Sequence, residues 1–155
     1  MFSVRVQSDD FNLASEHRRM AAGGSNIGAV VTFTGLCRDE DGTLDALELE
    51  HYPGMAEEEM ARVLAEARQR WPLDGATVIH RHGKIRPGEN IVLVLTASRH
   101  RTAAFAAAEF MMDYLKTRAP FWKKEHRKDG SSGAWVEAKD ADEHALDRWS
   151  DTARS

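Results

Sequence analysis

Residues 91–95 are the most apolar stretch of the chain, and they constrain its fold more than any other segment. Their side chains are Ile, Val, Leu, Val and Leu, with no polar residue between them. A strand with this pattern is covered on both faces. Two long helical patterns, 56–71 and 100–117, have apolar residues at helical spacing and are followed by Pro72 and Pro120. The pattern predicts helices packed against a sheet.

Other segments complete a mixed architecture. Strands are predicted over 2–6, 27–36, 44–52 and 77–82, and a hairpin joins 121–125 to 134–138. A short helix capped by Asn12 ends at Gly23-Gly24, and Ser98 is predicted to cap the second long helix. The buried stripe expected for that helix consists of Phe105, Phe110, Met111 or Met112, and Leu115. Together these elements predict an α+β fold.

The length of 155 residues predicts one domain. We expect this domain to span residues 1–139, followed by a charged helix or tail over 140–155. The single cysteine, Cys37, excludes a disulfide within the chain. No stretch approaches the roughly 20 apolar residues of a membrane span, and the N-terminus lacks the layout of a signal peptide. These features predict a cytoplasmic protein that does not enter membranes.

Basic residues are concentrated although the net charge is −4. Between Lys116 and Lys128 there are six Lys or Arg residues and His126, opposed only by Glu125. Arg99, His100 and Arg101 lie at a predicted helix N-terminus, where free N–H groups favour anions. Arg38 follows a predicted strand end, from which a loop would carry it towards the same place. We therefore expect one cationic cleft for a small anionic ligand, in which a lysine serves as proton donor or base.

Other chemistry is poorly supported by the sequence. Cys37 is interpreted as a small buried thiol. His80 and His82 share a strand face and allow a metal pair, but no third ligand follows at a recognisable spacing, so no metal site is expected. The glycines form neither a P-loop nor a dinucleotide-binding motif. The residues alone therefore predict a cationic pocket without naming a reaction.

Several segments, taken in their order along the chain, resemble those of a known family. They are Val30-Val31-Thr32-Phe33-Thr34-Gly35 with Arg38, Leu49 to Met55, Ile79 to Gly83, Ser98 to Arg101, and Asp113 to Glu125. Together, over roughly residues 27–138, they resemble the large, catalytic subunit of molybdopterin synthase. The run Tyr-Leu-Lys-Thr-Arg-Ala-Pro-Phe-Trp-Lys is the most specific of them.

The resemblance implies a fold, a reaction and partners. The fold is an α/β-hammerhead-like core with an additional small antiparallel β portion. The reaction converts cyclic pyranopterin monophosphate into the molybdopterin dithiolene. Sulfur arrives as a thiocarboxylate on the C-terminal Gly-Gly of a small ubiquitin-like partner. Two large subunits form a homodimer within a heterotetramer, and no cofactor is implied. Because the partner supplies the sulfur, the large subunit needs only to bind and orient the substrate and to move protons.

The resemblance also implies roles for individual residues. Lys116 and Lys123 are the catalytic lysines, with Lys116 at the meeting point of the partner's C-terminus and the substrate. The implied substrate contacts are Leu36, Cys37, Arg38, His100, Arg101, Lys116, Lys123, Lys124 and Glu125. Glu125 orients a lysine, while Phe33 and Met112 form an apolar wall. Lys139 stands where relatives often have an arginine, whose bidentate contacts a lysine cannot make.

Two alternatives use the same cations. One is a non-catalytic dimeric module that binds anions or phosphorylated metabolites. The other is a single-stranded nucleic-acid binder that uses Lys123, Lys124, Arg127 and Lys128 beside Phe121 and Trp122. The overall acidity disfavours the nucleic-acid alternative, and we expect no nucleic-acid partner.

Overall fold

The computed structural model describes residues 1–137 and 149–150, and their architecture is α+β, as predicted. Within these residues the elements are β1 (Phe2–Gln7), α1 (Leu13–Ala21), β2 (Ala29–Leu36), β3 (Leu44–His51), α2 (Met55–Arg70), β4 (Gly75–Arg81), β5 (Gly83–Ile85), β6 (Asn90–Ser98), α3 (Arg101–Arg118), β7 (Phe121–Arg127) and β8 (Val136–Glu137).

The first sheet has the strand order β1-β4-β6-β2. β1 runs parallel to β4, whereas β4 and β2 both pair antiparallel with β6. Helices α2 and α3 cover one face, and the other is covered by Met20 of α1 and by Phe11, which precedes that helix. Leu93, Val94 and Leu95 of β6 are fully buried between these layers. The prediction that this strand is covered on both faces is therefore confirmed.

The second sheet has the order β5-β3-β7-β8 and is antiparallel throughout. It contains the expected hairpin, although β8 covers only two residues of the predicted 134–138. β5 was not predicted from the sequence, because its three residues are too few to show a period. Pairing of β5 with β3 carries the chain from the first sheet into the second.

The helix starts agree with the sequence in one case and differ in the other. Asn12 caps α1 as predicted, since its Oδ1 accepts a hydrogen bond from the backbone N–H of Ser15 at 2.9 Å. The prediction that Ser98 caps α3 was wrong. Ser98 is buried as the last residue of β6, and its Oγ donates to the carbonyl oxygen of Pro72 at 2.7 Å. The capping position belongs to His100, whose side chain makes no capping hydrogen bond.

The buried face of α3 also differs in composition from the predicted stripe. Phe110, Met111 and Leu115 are buried, but Phe105 is 60% exposed. The reason is that alanines, among them Ala104 and Ala107, form much of the packed face. Their small side chains let the helix lie close to β6 and β2, and Phe105 points away from that face.

The predicted tail over 140–155 lies outside the described residues except for Trp149 and Ser150. Trp149 is buried against Trp71 and Phe110, with edge-to-face ring geometry. Its Nε1–H donates to Asp113 Oδ2 at 2.6 Å, which attaches this end of the chain to α3. None of the helices in the described residues has both the length and the apolar character needed to cross a bilayer.

Candidate active site

A cavity of about 470 Å³ lies where the two sheets meet the C-terminal end of α3. Its volume falls in the usual range for sites that take small molecules. The lining residues come from both sheets and from α3 and the turn after it: Phe33, Thr34, Gly35, Leu36, Leu47, Leu49, His80, Ile91, Val92, Met112, Leu115, Lys116, Ala119, Phe121 and Lys123.

The walls of the cavity are mainly apolar. Phe33 and Leu36 are 39% and 54% exposed, so both present apolar surface to the cavity and to solvent. Met112 faces them from α3. Gly35 is required between them, because a Cβ at that position would lie 2.7 Å from Cγ1 of Val92. The structure thus places Phe33, Leu36 and Met112 in one wall that suits a flat organic ring.

Two lysines bring positive charge to this apolar cavity. Lys116 lies in the last turn of α3, where the helix dipole favours a cation. Lys123 lies on β7, paired with Leu49 of β3. Both line the same cavity although the chain turns at Pro120 between them. The chemistry available is charge stabilisation and proton transfer to a ligand held against the apolar wall.

His80 is a cavity residue whose place the sequence reading missed. Its ring stacks on Phe121 with 3.7 Å between ring centroids, and its Nδ1–H donates to the carbonyl oxygen of Arg81 at 2.8 Å. Burial lowers the pKa of His80 from 6.5 to about 4, so the ring is neutral at pH 7. The signal for His80 was its alternation with His82 along the predicted strand 77–82, which was interpreted only as allowing a metal pair.

A second, smaller cavity of about 200 Å³ contains Arg38 and Glu125 and shares Leu47 and Lys123 with the first. Arg38 is 78% exposed at its side chain and forms an ion pair with Glu40. The acidic loop 39–41 faces this second cavity. Within the part of the chain that the structure describes, no ion pair joins Glu125 to a lysine.

Within a single chain, the structure does not bring all the predicted basic residues into one cleft. His100 and Arg101 begin α3, whereas Lys116 lies 15 residues after Arg101, about 22 Å along the helix axis at 1.5 Å per residue. His100 lines a separate cavity with Trp71 and Pro72. The spacing of a rigid helix therefore keeps these two basic groups apart.

Two further residues do not line the cavity. Cys37 is buried, as predicted for a small thiol, and packs with Leu49 and Ile85. Lys124 follows Lys123 on a strand and so points to the opposite face, where its Nζ lies 5.6 Å from the centre of the Trp135 ring. Lys139 lies outside the described residues.

The structure removes one of the aromatic stacking surfaces on which the nucleic-acid alternative depended. It used Phe121 as a stacking surface, but Phe121 is only 3% exposed and is covered by His80. Bases cannot stack on a ring that solvent does not reach.

The fold and the cavity define an α+β protein with a cavity of small-molecule size between an apolar wall and two lysines. Comparison with known proteins identifies the family. The sequence model described as "MoaE protein" matches residues 6–118. The chain belongs to the MoaE protein family.

Similar proteins agree with this assignment. A molybdopterin synthase catalytic subunit from Mesorhizobium japonicum is 67% identical over 147 residues, which cover 95% of this chain and 92% of that protein. One from Brucella melitensis is 60% identical over 153 residues, covering 99% and 94%. The solved structure of a molybdopterin biosynthesis MoaE protein from Burkholderia ambifaria has a TM-score of 0.85 at 47% identity, covering 96% and 98%.

Proposed function

We propose that the protein is the catalytic subunit of a molybdopterin synthase, which transfers sulfur to cyclic pyranopterin monophosphate to form the dithiolene. The observation that carries this proposal is the cavity that joins an apolar wall to Lys116 and Lys123. Family membership and the high identity to molybdopterin synthase catalytic subunits support it. Residues 1–139 form the catalytic domain in this proposal.

The sulfur comes from a partner. The described lining of the main cavity contains no cysteine, and Cys37 is buried behind that lining against Leu49 and Ile85. A thiocarboxylate at the C-terminal Gly-Gly of a small ubiquitin-like subunit supplies the nucleophile instead. The cavity opens to solvent beside the exposed Leu36, and this mouth is where an extended peptide end enters.

The two lysines act on the reacting groups. Both the thiocarboxylate and the phosphorylated pterin are anions, so ammonium groups fixed beside an apolar wall attract both and hold them together. Lys116 donates a proton or stabilises the oxyanion that forms at the partner's terminal carbonyl. Lys123 lies between the two cavities and binds substrate or shares that role. Phe33 and Met112 support the pterin ring.

Arg38, Glu125 and Lys124 act at the edge of the site. Arg38 reaches the substrate when its ion pair with Glu40 opens, because anion and carboxylate compete for the same guanidinium. Glu125 lines the smaller cavity together with Lys123, and in this proposal it orients that lysine once a ligand is bound, since the two side chains form no ion pair in the part of the chain that the structure describes. Cys37 packs beneath the start of the loop that carries Arg38. Lys124 contributes only long-range positive charge.

His100 and Arg101 serve the site from a second copy of the chain. The length of α3 separates them from Lys116 of their own chain. A homodimer whose two-fold axis places the start of one α3 beside the cavity of its partner would bring these groups to the substrate's phosphate. One small subunit then docks at each end and completes a heterotetramer. We place this assembly in the cytoplasm, where the unpaired thiol of Cys37 persists.

Reconstitution tests the function directly. The purified protein is mixed with the thiocarboxylated small subunit and cyclic pyranopterin monophosphate, and the dithiolene product is measured by mass spectrometry. A synthase of known activity runs in parallel as the control. We expect product to form in both reactions. Product from the control alone would contradict the proposal, and pterin binding without turnover would favour the anion-binding module.

A further inference from the structure

Three potential metal ligands lie together at one end of β3, outside the lining of the main cavity. They are Glu50, His51 and His82, and their ligand atoms all lie within 4.8 Å of one another. His82 reaches this place because Gly83, with a φ of 89°, turns the chain from β4 into β5. β5 then pairs with β3 so that Gly83 lies opposite Leu49, which puts His82 next to Glu50.

The imidazole of His51 is the unexplained group in this cluster. Its side chain is only 9% exposed. Its Nδ1 is buried and, within residues 1–137 and 149–150, has no hydrogen-bond partner. A buried polar atom of this kind destabilises a fold unless something binds it. The ring centroid of His82 lies 4.6 Å from that of His51, so a second imidazole is already beside it.

Glu50 is held in a position from which it can complete the set. Its Oε1 accepts a hydrogen bond from the backbone N–H of His51 at 3.1 Å. The same oxygen lies 3.9 Å from His51 Nδ1, which is too far for a hydrogen bond. The distance between Glu50 Oε1 and His51 Nδ1 is therefore longer than a hydrogen bond. Two atoms that bind the same metal ion are separated in this way.

We propose that Glu50, His51 and His82 bind a divalent transition-metal ion of the zinc type. Two imidazoles and one carboxylate form a common ligand set for zinc, with water in the fourth position. Tetrahedral bonds of about 2.0–2.2 Å require ligand atoms roughly 3.4 Å apart. The side chain of Glu50 is 59% exposed, so it can turn to close that gap without disturbing the core. This inference does not depend on the proposed sulfur transfer.

The structure also explains why sequence spacing suggested a different pair. His80 and His82 alternate in the sequence, but His82 lies after the end of β4, the Nδ1–H of His80 donates to a carbonyl oxygen, and the His80 ring stacks on Phe121. His51 replaces His80 in the cluster and comes from 31 positions before His82. Bound metal would link the end of β3 to the junction of β4 and β5, and other residues of β3 and β4 line the main cavity.

Metal titration of the full, untagged chain tests the proposal. The chelator-treated protein is titrated with Co²⁺, whose visible spectrum reports tetrahedral coordination, and then with Zn²⁺ as a competitor. We expect saturation at about one ion per chain and, with Zn²⁺ in large excess over its dissociation constant, a rise in Tm of several degrees. Absence of saturable binding, or of any rise in Tm, would overturn the proposal.

Variants assign the binding to these residues. His82→Gln and Glu50→Gln alter side chains that are not fully buried, and each should weaken Co²⁺ binding by at least about tenfold. His17→Gln, which removes an exposed imidazole from α1, is the matched control and should bind as the unaltered chain does. Circular dichroism of each metal-free variant verifies its fold. Unchanged affinity in His82→Gln, or an equal loss in His17→Gln, would refute the assignment.

Discussion

At the scale of single residues, neighbours in the sequence perform different tasks because β7 is a strand. Lys123 lines the main cavity, and Lys124 lies over Trp135 on the other face. The cluster of basic residues predicted an anion site, and family motifs selected Lys116 and Lys123 from it. The sequence did not show the position of His80, because its place depends on stacking against Phe121, 41 positions away.

Cys37 gives a prediction at this scale. Burial raises the pKa of its thiol, so at neutral pH the group stays protonated, and only the thiolate reacts with alkylating agents. We expect iodoacetamide at pH 7.5 to label the folded protein at least about tenfold more slowly than the protein unfolded in urea. The measurement is labelling followed over time by intact-mass spectrometry. Equal rates in the two states would show that the thiol is accessible and reactive.

At the scale of elements, most helices and strands followed from local patterns, while short elements and contacts between elements did not. Residues 91–95 predicted a strand covered on both sides, and Asn12 predicted the start of α1. The sequence misplaced the start of α3 because Ser98, a good cap by type, is held in β6 by tertiary contacts. It also misplaced Phe105, since alanines carry the packing that a large apolar residue was expected to provide.

The ladder between β2 and β6 gives a second prediction. A Cβ at Gly28 would lie 2.2 Å from the backbone oxygen of Arg99, which cannot move without disturbing the pairing of Gly28 with Ser98. Gly28→Ala should lower the free energy of unfolding by about 2 kcal/mol or more, as measured by urea denaturation.

Gly24→Ala is the control for this prediction, because no atom lies within 4 Å of the Cβ it would add. It should change the free energy of unfolding by no more than about 0.5 kcal/mol. Equal stability of the two variants would disprove the close approach of Gly28 to Arg99.

At the scale of the whole molecule, the distribution of charge along α3 argues for a site shared between copies. Its first residues carry the groups expected to hold phosphate, and its last turn carries Lys116. Family motifs predicted both sets of residues. They did not show that a helix keeps the two sets apart, because a motif records neighbours in sequence and not distances across a fold.

Mixed dimers test this sharing. Arg101→Ala and Lys116→Ala each remove one half of the proposed site, so each variant alone should be nearly inactive. Subunits exchanged at a ratio of one to one should regain about a quarter of the unaltered activity, because half of the dimers are mixed and each mixed dimer has one intact site. No recovery, with exchange verified by native mass spectrometry, would place both residues in the site of a single chain.

The central claim is that sulfur transfer takes place in the cavity beside Lys116. Its most direct test is the single-turnover rate of dithiolene formation, with thiocarboxylated partner in excess, for the unaltered chain, Lys116→Ala and Lys84→Ala. Lys84 is an exposed lysine of β5 outside the cavity lining, and its loss should leave the rate unchanged. Lys116→Ala should fold normally and slow the reaction by about 10²-fold or more, because a fixed cation no longer faces the charge that develops. A rate close to that of the unaltered chain would contradict the account.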